Sequence, residues 1–127
     1  MYVLANASLG MSPEKLAVQV AHALADVVHH VLSAGSRAER DAYAAWRKHC
    51  GQAKILLNGV DAESMRALRA AHAQLRWFEV HDAGRTELAA GAFTVLATLP
   101  LSLSETPAEI RACKTLRVTR CHQCSKQ

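Results

Sequence analysis

The stretch Met11–Gly35, MSPEKLAVQVAHALADVVHHVLSAG, decides the fold because it predicts one long helix. Ser12 can cap the free N–H groups of a helix start, and Pro13 has the backbone φ that suits the first helical position. Gly35 fits a left-handed exit at the other end. The signals at the two ends therefore agree on a single helix.

The predicted helix carries one narrow polar stripe on an otherwise apolar surface. At about 3.6 residues per turn, positions i, i+4, i+7 and i+11 lie on one face. Because the rest of the surface is apolar, we expect the helix to be mostly buried and the stripe to meet water or partner groups. The stripe consists of Lys15, Gln19, His22 and Asp26, flanked by His29 and His30.

The remaining segments alternate between short apolar runs, which predict strands, and capped helices. Three further helix starts are marked by the S-x-x-E capping box of Ser36 and Glu39, by Asp61, and by Thr106 with Pro107, the last helix ending near Lys114. The order β-α-α-β-α-β-β-α predicts an α/β fold of three layers, with a mixed sheet of about four strands between helices. The sheet should be parallel in part, because helices separate the early strands. The predicted strands are 2–5, 54–57, 77–80 and 93–99, with extended structure at 116–118.

The chain has 127 residues and a formal net charge of +4. This length fits one ordinary domain, which we place at residues 1–118, followed by a basic cysteine-containing tail at residues 119–127. The charge is compatible with a polyanionic partner but is also common on other proteins. No uninterrupted apolar run approaches the ~18 to 20 residues of a membrane span, and the N-terminus lacks a signal-peptide pattern. We therefore expect a cytoplasmic protein without membrane contact.

The four cysteines, Cys50, Cys113, Cys121 and Cys124, lack the spacing of a disulfide framework. Cys121 and Cys124 form a C-x-x-C pair that could supply two zinc ligands, with Cys113 and His122 close by. No second such pair exists, and the tail has few apolar residues to fold around a metal. We therefore predict no metal site and interpret the pair as incidental or redox-sensitive.

A loop of about a dozen residues, 82–92, follows the third predicted strand and is longer than a tight hairpin requires. It begins with Asp82-Ala83-Gly84-Arg85-Thr86, which brings an anionic, a cationic and a hydroxyl group close together. Two interpretations are open. Asp82 and Gly84 can simply form a turn, or the loop can bind a ligand, since ligands of open α/β sheets gather at strand ends.

Four separated segments follow one another along residues 11–100: Met11-x-x-x-Lys15-x-Ala17-x-Gln19-x-Ala21-His22-Ala23, Cys50-Gly51-Gln52-x-Lys54, Asp82-Ala83-Gly84-Arg85-Thr86 and Gly91-x-x-Thr94-Val95-Leu96. Together they resemble the type 2 peptidyl-tRNA hydrolase family. The resemblance implies a mixed four-stranded sheet between helices and cleavage of the ester that joins a stalled peptide to tRNA. It implies peptidyl-tRNA as partner and no cofactor, and it leaves a homodimer open because family members often pair.

The resemblance also implies that Lys15, Asp82 and Thr86 are catalytic, and ester hydrolysis has a task for each. Asp82 could orient or deprotonate water, Lys15 could stabilise negative charge or hold a phosphate, and Thr86 could position the water or donate to the oxyanion. Which group is the general base is not readable from the residues. The expected substrate-binding residues are Gln19, His22, Arg85 and Thr94, of which His22 could also transfer a proton and Thr94 could instead serve packing.

The chain departs from the family's pattern around the predicted site. Met11-Ser12-Pro13-Glu14-Lys15 stands where the family usually has Met-Gly-Lys-Gly-Lys, and Glu87 and Ala90 replace Gln and Pro. Ala5-Asn6 stands where the family has a basic residue. These changes remove positive charge beside the site. Two alternatives therefore stay open: a non-catalytic tRNA-binding or regulatory module on the same fold, and a hydrolase of another acyl adduct.

Overall fold

A computed structural model describes residues 1–116, which form a four-stranded mixed sheet with helices on both faces. This confirms the predicted α/β class, the three layers and the element order. The predicted boundary at residue 118, the tail 119–127, and the Cys121 and Cys124 pair lie outside the described residues. The strands are β1 (Tyr2–Ala5), β2 (Ile55–Asn58), β3 (Trp77–His81) and β4 (Phe93–Thr98), and the helices are α1 (Pro13–Ser33), α2 (Arg37–His49), α3 (Ala62–Ala71) and α4 (Ala108–Ala112), with a 3-10 turn at Ala7–Leu9.

The strand order β2-β1-β4-β3 explains where the strand ends meet. β1 and β2 are parallel, whereas β4 runs antiparallel to both β1 and β3. The carboxyl ends of β1 and β3 therefore lie at the same edge of the sheet as the amino end of β4. Because α1 follows β1 after a short turn, the first turn of α1 begins at this edge as well.

Each face of the sheet has its own hydrophobic core. On one face, side chains of β1, β3 and β4 pack against α1 and against Trp46 of α2. On the other face, Leu4, Leu57 and Leu96 pack against Met65 of α3 and Ile110 of α4. All six residues of β4 are buried, as expected for a central strand covered on both sides.

The predicted helix caps are confirmed at three starts. Ser12 caps α1 and Asp61 caps α3, each accepting a hydrogen bond from a backbone N–H of the first turn. Ser36 and Glu39 form the reciprocal capping box of α2. These caps depend on local chemistry alone, which explains why the sequence pattern identifies them.

Two other predicted helix ends are wrong. Gly35 does not adopt a left-handed conformation. It is buried against α1, and a Cβ there would lie 2.7 Å from the Val31 carbonyl oxygen. Thr106 does not cap α4, because its hydroxyl donates to the Ser102 carbonyl and Pro107 occupies the cap position. α4 ends at Ala112, two residues before Lys114.

The expectation that α1 is mostly buried is also wrong. Only Leu16, Gln19, Ala23, Val27 and Val31 are buried, because α1 has the sheet and α2 on one side and nothing from residues 1–116 on the other. Part of the apolar surface is therefore exposed. By length and composition alone, α1 is also long and apolar enough to cross a membrane. In the structure its buried residues pack on the sheet and on α2.

Candidate active site

Asp82 is the first residue after β3, and it begins a loop whose two ends are joined by backbone hydrogen bonds. The Asp82 N–H donates to the Ala92 carbonyl at 2.9 Å, and the Gly91 N–H donates to the Asp82 carbonyl at 2.7 Å. Gly84 has a φ of 75°, and a Cβ there would lie 2.7 Å from the Ala90 backbone. Glycine therefore meets both the conformational and the steric requirement of this turn. The closed loop fixes Asp82 at the sheet edge where α1 begins.

The three expected catalytic residues are in direct contact at this edge. The Lys15 Nζ lies 2.5 Å from Asp82 Oδ1. The same ammonium donates to Thr86 Oγ1 at 2.7 Å. Asp82 is 6% exposed, whereas Thr86 is on the surface. The three groups therefore form a cluster that is buried on the Asp82 side and open on the Thr86 side.

Gln19 and Thr94 lie behind Asp82, away from solvent. Gln19 Nε2 donates to Asp82 Oδ1 at 3.1 Å, and the Thr94 hydroxyl lies within hydrogen-bond distance of Gln19 Oε1 (2.7 Å) and the Val80 carbonyl (3.0 Å). Gln19 is 2% exposed and Thr94 is fully buried. Their hydrogen bonds orient the Asp82 carboxylate from the protein interior. Contact of Gln19 and Thr94 with a substrate stays a prediction.

His22 and Arg85 lie near the cluster without joining it. Both are exposed, His22 one turn after Gln19 on α1 and Arg85 next to Thr86 in the loop. Among the residues that the structure describes, neither side chain has a hydrogen bond or ion pair. Substrate contact by these two residues stays a prediction.

A sequence model of the family described as Peptidyl-tRNA hydrolase PTH2 matches residues 1–111. The chain belongs to this family.

Relatives of known name agree with the family assignment. The chain is 39% identical over 98 residues to "Probable peptidyl-tRNA hydrolase 2" of Caenorhabditis elegans, a match that covers 76% of this chain and 30% of the worm protein. It is 36% identical over 103 residues to "Peptidyl-tRNA hydrolase 2" of Saccharomyces cerevisiae, a match that covers 79% of this chain and 50% of the yeast protein. It is 30% identical over 102 residues to "Peptidyl-tRNA hydrolase" of Saccharolobus solfataricus, a match that covers 79% of this chain and 84% of the archaeal protein. The chain thus spans half or less of the worm and yeast proteins but most of the archaeal one.

The electrostatics of this PTH2-family site favour an ionised Asp82. The hydrogen bond from Lys15 lowers the pKa of Asp82 most, burial opposes the effect, and the Gly84 N–H, which donates to Asp82 Oδ2 at 2.8 Å, lowers the pKa further. The carboxylate is therefore charged at neutral pH and has acceptor contacts on both oxygens. Such a group is a weak base but a firm anchor for Lys15.

Sequence reasoning missed the pairing of Ser12 with Glu87. The Glu87 carboxylate accepts from the Ser12 hydroxyl at 2.6 Å and from the Ser12 backbone N–H at 3.0 Å. These bonds from Ser12 lower the pKa of Glu87. A signal was present, since both residues depart from the PTH2 pattern, but their separation in sequence hid the contact.

Sequence reasoning also missed the role of Asn6, which is a buried polar residue. It is 3% exposed, and its side-chain amide donates to the Phe93 carbonyl at 2.9 Å. Its side-chain oxygen accepts from the backbone and the hydroxyl of Ser8. Asn6 therefore joins the end of β1 to the start of β4, directly below the site.

The assembled groups suit attack by water on an ester. Lys15 offers positive charge, Thr86 an exposed hydroxyl and Asp82 a fixed carboxylate, which are the functions needed to orient water and stabilise an oxyanion. Within residues 1–116, no three side chains of the metal-ligating types are grouped closely enough to hold an ion. The C-x-x-C pair considered for zinc lies outside the described residues.

Proposed function

We propose that this PTH2-family chain hydrolyses the ester bond between a nascent peptide and tRNA. The proposal is carried by one observation: the Lys15 ammonium contacts both Asp82 and Thr86 at the open side of the sheet edge. The names of the relatives support peptidyl-tRNA as the substrate, and the family match covers every residue of this cluster. Release of free tRNA and peptide follows from the reaction.

Each residue has a defined task in this mechanism. A water molecule adds its oxygen to the ester carbonyl carbon and loses a proton, the bond from that carbon to the ribose oxygen breaks, and the ribose oxygen gains a proton. Lys15 stabilises the oxyanion, and Thr86 holds the water on the exposed side. Asp82, charged and held by Gly84, keeps the Lys15 ammonium in place.

Substitution of the pair tests the assignment. Asp82→Asn and Lys15→Ala should each lower kcat/KM for peptidyl-tRNA by about 10²- to 10⁴-fold. Circular dichroism and thermal melting check that the fold is intact. Asp26→Asn and Lys48→Ala, which remove exposed charges elsewhere, are the matched controls and should retain activity. Undiminished turnover in both site variants would falsify the proposal.

A second candidate is a non-catalytic binding or regulatory module, because the acidic start of α1 departs from the basic one of the family and could weaken turnover. Glu14 is exposed there, and the Glu87 carboxylate is bonded to Ser12 at the same place. Assays of peptidyl-tRNA and aminoacyl-tRNA side by side separate the candidates. Cleavage of peptidyl-tRNA alone supports the hydrolase, cleavage of another acyl adduct supports a different substrate, and binding without cleavage supports the module.

We also propose that the protein forms a homodimer through the exposed apolar face of α1. Val18 is 50% exposed and Leu32 is 74% exposed on this face, and a contiguous exposed apolar surface is typical of a protein–protein contact. A shallow groove on the same face is lined by Ala21, Leu24, Ala25, Val28, His29 and Leu32.

A further inference from the structure

Two consecutive residues of the Asp82 loop hold Lys15 in place. Thr86 contacts its ammonium directly, and Glu87 is linked to its backbone through Ser12. The Lys15 ammonium donates to the hydroxyl of Thr86 at 2.7 Å. Its backbone N–H donates to Ser12 Oγ at 3.1 Å, and the Ser12 hydroxyl in turn donates to Glu87 Oε1 at 2.6 Å. A chain of hydrogen bonds therefore runs from the Lys15 backbone through Ser12 to Glu87.

Glu87 supplies a contact that α1 cannot make for itself. In a capping box the third helical residue is Glu or Gln, whose side chain accepts from the N–H of the cap residue. Glu39 does this for Ser36 in α2. In α1 the third residue is Lys15, which has no acceptor and points its ammonium at Asp82. The Glu87 carboxylate provides the missing acceptor, because its Oε2 accepts a hydrogen bond from the Ser12 N–H at 3.0 Å.

We propose that Glu87 is a positioning residue for the hydrolysis. Its carboxylate fastens the Asp82 loop to the start of α1, and this fixes Lys15 between Asp82 and Thr86. Both carboxylate oxygens bond to Ser12, so Glu87 acts through Ser12. The catalytic meaning of this role rests on the proposed function, whereas the positioning of Lys15 is measurable without turnover.

A positioning role differs from a simple effect of charge. Glu14 and Glu87 both place a negative charge at the start of α1, where either would repel a substrate phosphate. Within residues 1–116, the Glu87 carboxylate is hydrogen-bonded to Ser12, whereas the Glu14 carboxylate has no such bond. Glu14→Gln is therefore the matched control that removes charge and leaves the loop fastened.

Steady-state kinetics on the full chain test the proposal. Glu87→Ala should lower kcat by about 10- to 100-fold, because a loosened loop misplaces Thr86 and Lys15. Glu87→Gln loses one of two acceptors and should show a smaller loss. Any change in KM should match that of Glu14→Gln, whose kcat should stay at the wild-type value. The acid limb of the kcat profile should also lie at higher pH in Glu87→Ala than in Glu87→Gln, because both variants lack the Glu87 charge and a weaker Lys15 contact lowers the pKa of Asp82 less.

Two measurements decide the positioning role without any activity. Amide hydrogen exchange at Lys15 should be faster in Glu87→Ala and Glu87→Gln than in the wild type. An NMR titration should give a higher pKa for Asp82 in Glu87→Ala than in Glu87→Gln, since both variants lack the charge that is coupled to Asp82. Glu14→Gln should leave the exchange unchanged. Exchange at the wild-type rate in both Glu87 variants, together with the same pKa of Asp82 in the two, would overturn the proposal. A wild-type protein that leaves peptidyl-tRNA intact would instead overturn the proposed function, while exchange and titration still decide the role of Glu87.

Discussion

Thr94 is fully buried, and its hydroxyl contacts Gln19 rather than the open side of the site. The order Thr94, Gln19, Asp82 is a continuous line of hydrogen bonds from the amino end of β4 to the carboxylate that anchors Lys15. Buried polar groups of this kind are costly to leave unpaired, which keeps each member in one orientation. Buried residues on the interior side of Asp82 therefore hold the site in place.

Thr94→Val removes the hydroxyl with little change of shape. We expect a loss of about 1 to 2 kcal/mol in the free energy of unfolding and a several-fold lower kcat, because Gln19 loses the donor that fixes its amide. Thr98→Val is the control on the same strand: Thr98 is equally buried, and its hydroxyl accepts from the Tyr2 N–H instead. Denaturant melts should show a loss in both variants, and kinetics a loss only in Thr94→Val. Equal kcat in the two variants would argue against the line of hydrogen bonds.

For single residues, the sequence pattern predicted which side chains are in contact but not how far each is buried. Lys15, Asp82 and Thr86 were expected together and are in contact. Helical spacing gives a direction around α1, but burial depends on what packs there, so Gln19 is buried while His22 is exposed. The contact of Ser12 with Glu87 was missed, because the resemblance that joins Lys15 to Asp82 and Thr86 does not include these two residues.

At the scale of elements, the Glu39 side chain connects α2 to α1 and to the start of β3. It completes the capping box of α2, lies 3.1 Å from the His30 ring of α1, and pairs at 3.3 Å with Arg76, which precedes β3. The bond from the Ser36 backbone lowers the pKa of Glu39 most, and His30 and Arg76 lower it further, to about 2. The turn from α1 to α2 is thus fixed by a charged carboxylate.

This carboxylate makes stability depend on acid. Because its folded pKa of about 2 lies below the ordinary 4.5, the stabilisation is fully present above pH 4.5 and is lost as the pH falls toward 2. Glu39→Gln should cost about 1 to 2 kcal/mol at neutral pH, and the difference from wild type should shrink below pH 4.5. Urea unfolding at several pH values measures this. Glu63→Gln, an exposed acid in the first turn of α3, is the control, and a pH-independent difference for Glu39→Gln would contradict the linkage.

The helix ends show why elements are only partly predictable. Ser12, Ser36 and Asp61 cap their helices through atoms within three residues, so local pattern suffices. Gly35 and Thr106 follow other constraints: Gly35 is required by close packing on Val31, and Thr106 bonds to the preceding turn. At both positions a contact with the residue four places earlier overrides the expected capping role.

At the scale of the whole molecule, the exposed face of α1 determines whether copies associate. Leu32→Glu should weaken the proposed homodimer by at least about tenfold, because a buried charge without a partner is costly at an interface. Leu103→Glu is the control, since Leu103 is 71% exposed at a different place. Sedimentation velocity over a range of concentrations gives the dissociation constants. A wild-type protein that stays monomeric at every concentration would exclude the dimer.

The order of the strands also fixes when the protein can fold during its synthesis. β1 pairs with β4, so that Leu4 lies opposite Leu96, and β4 separates β1 from β3 in the sheet. Until the ribosome has released β4, β1 and β3 cannot belong to one sheet, and the edge that holds Lys15 and Asp82 does not exist. Such non-local pairing slows folding and leaves apolar segments unprotected in the growing chain. A nascent chain arrested before Phe93 would therefore depend on chaperones, and it could not carry a preformed site.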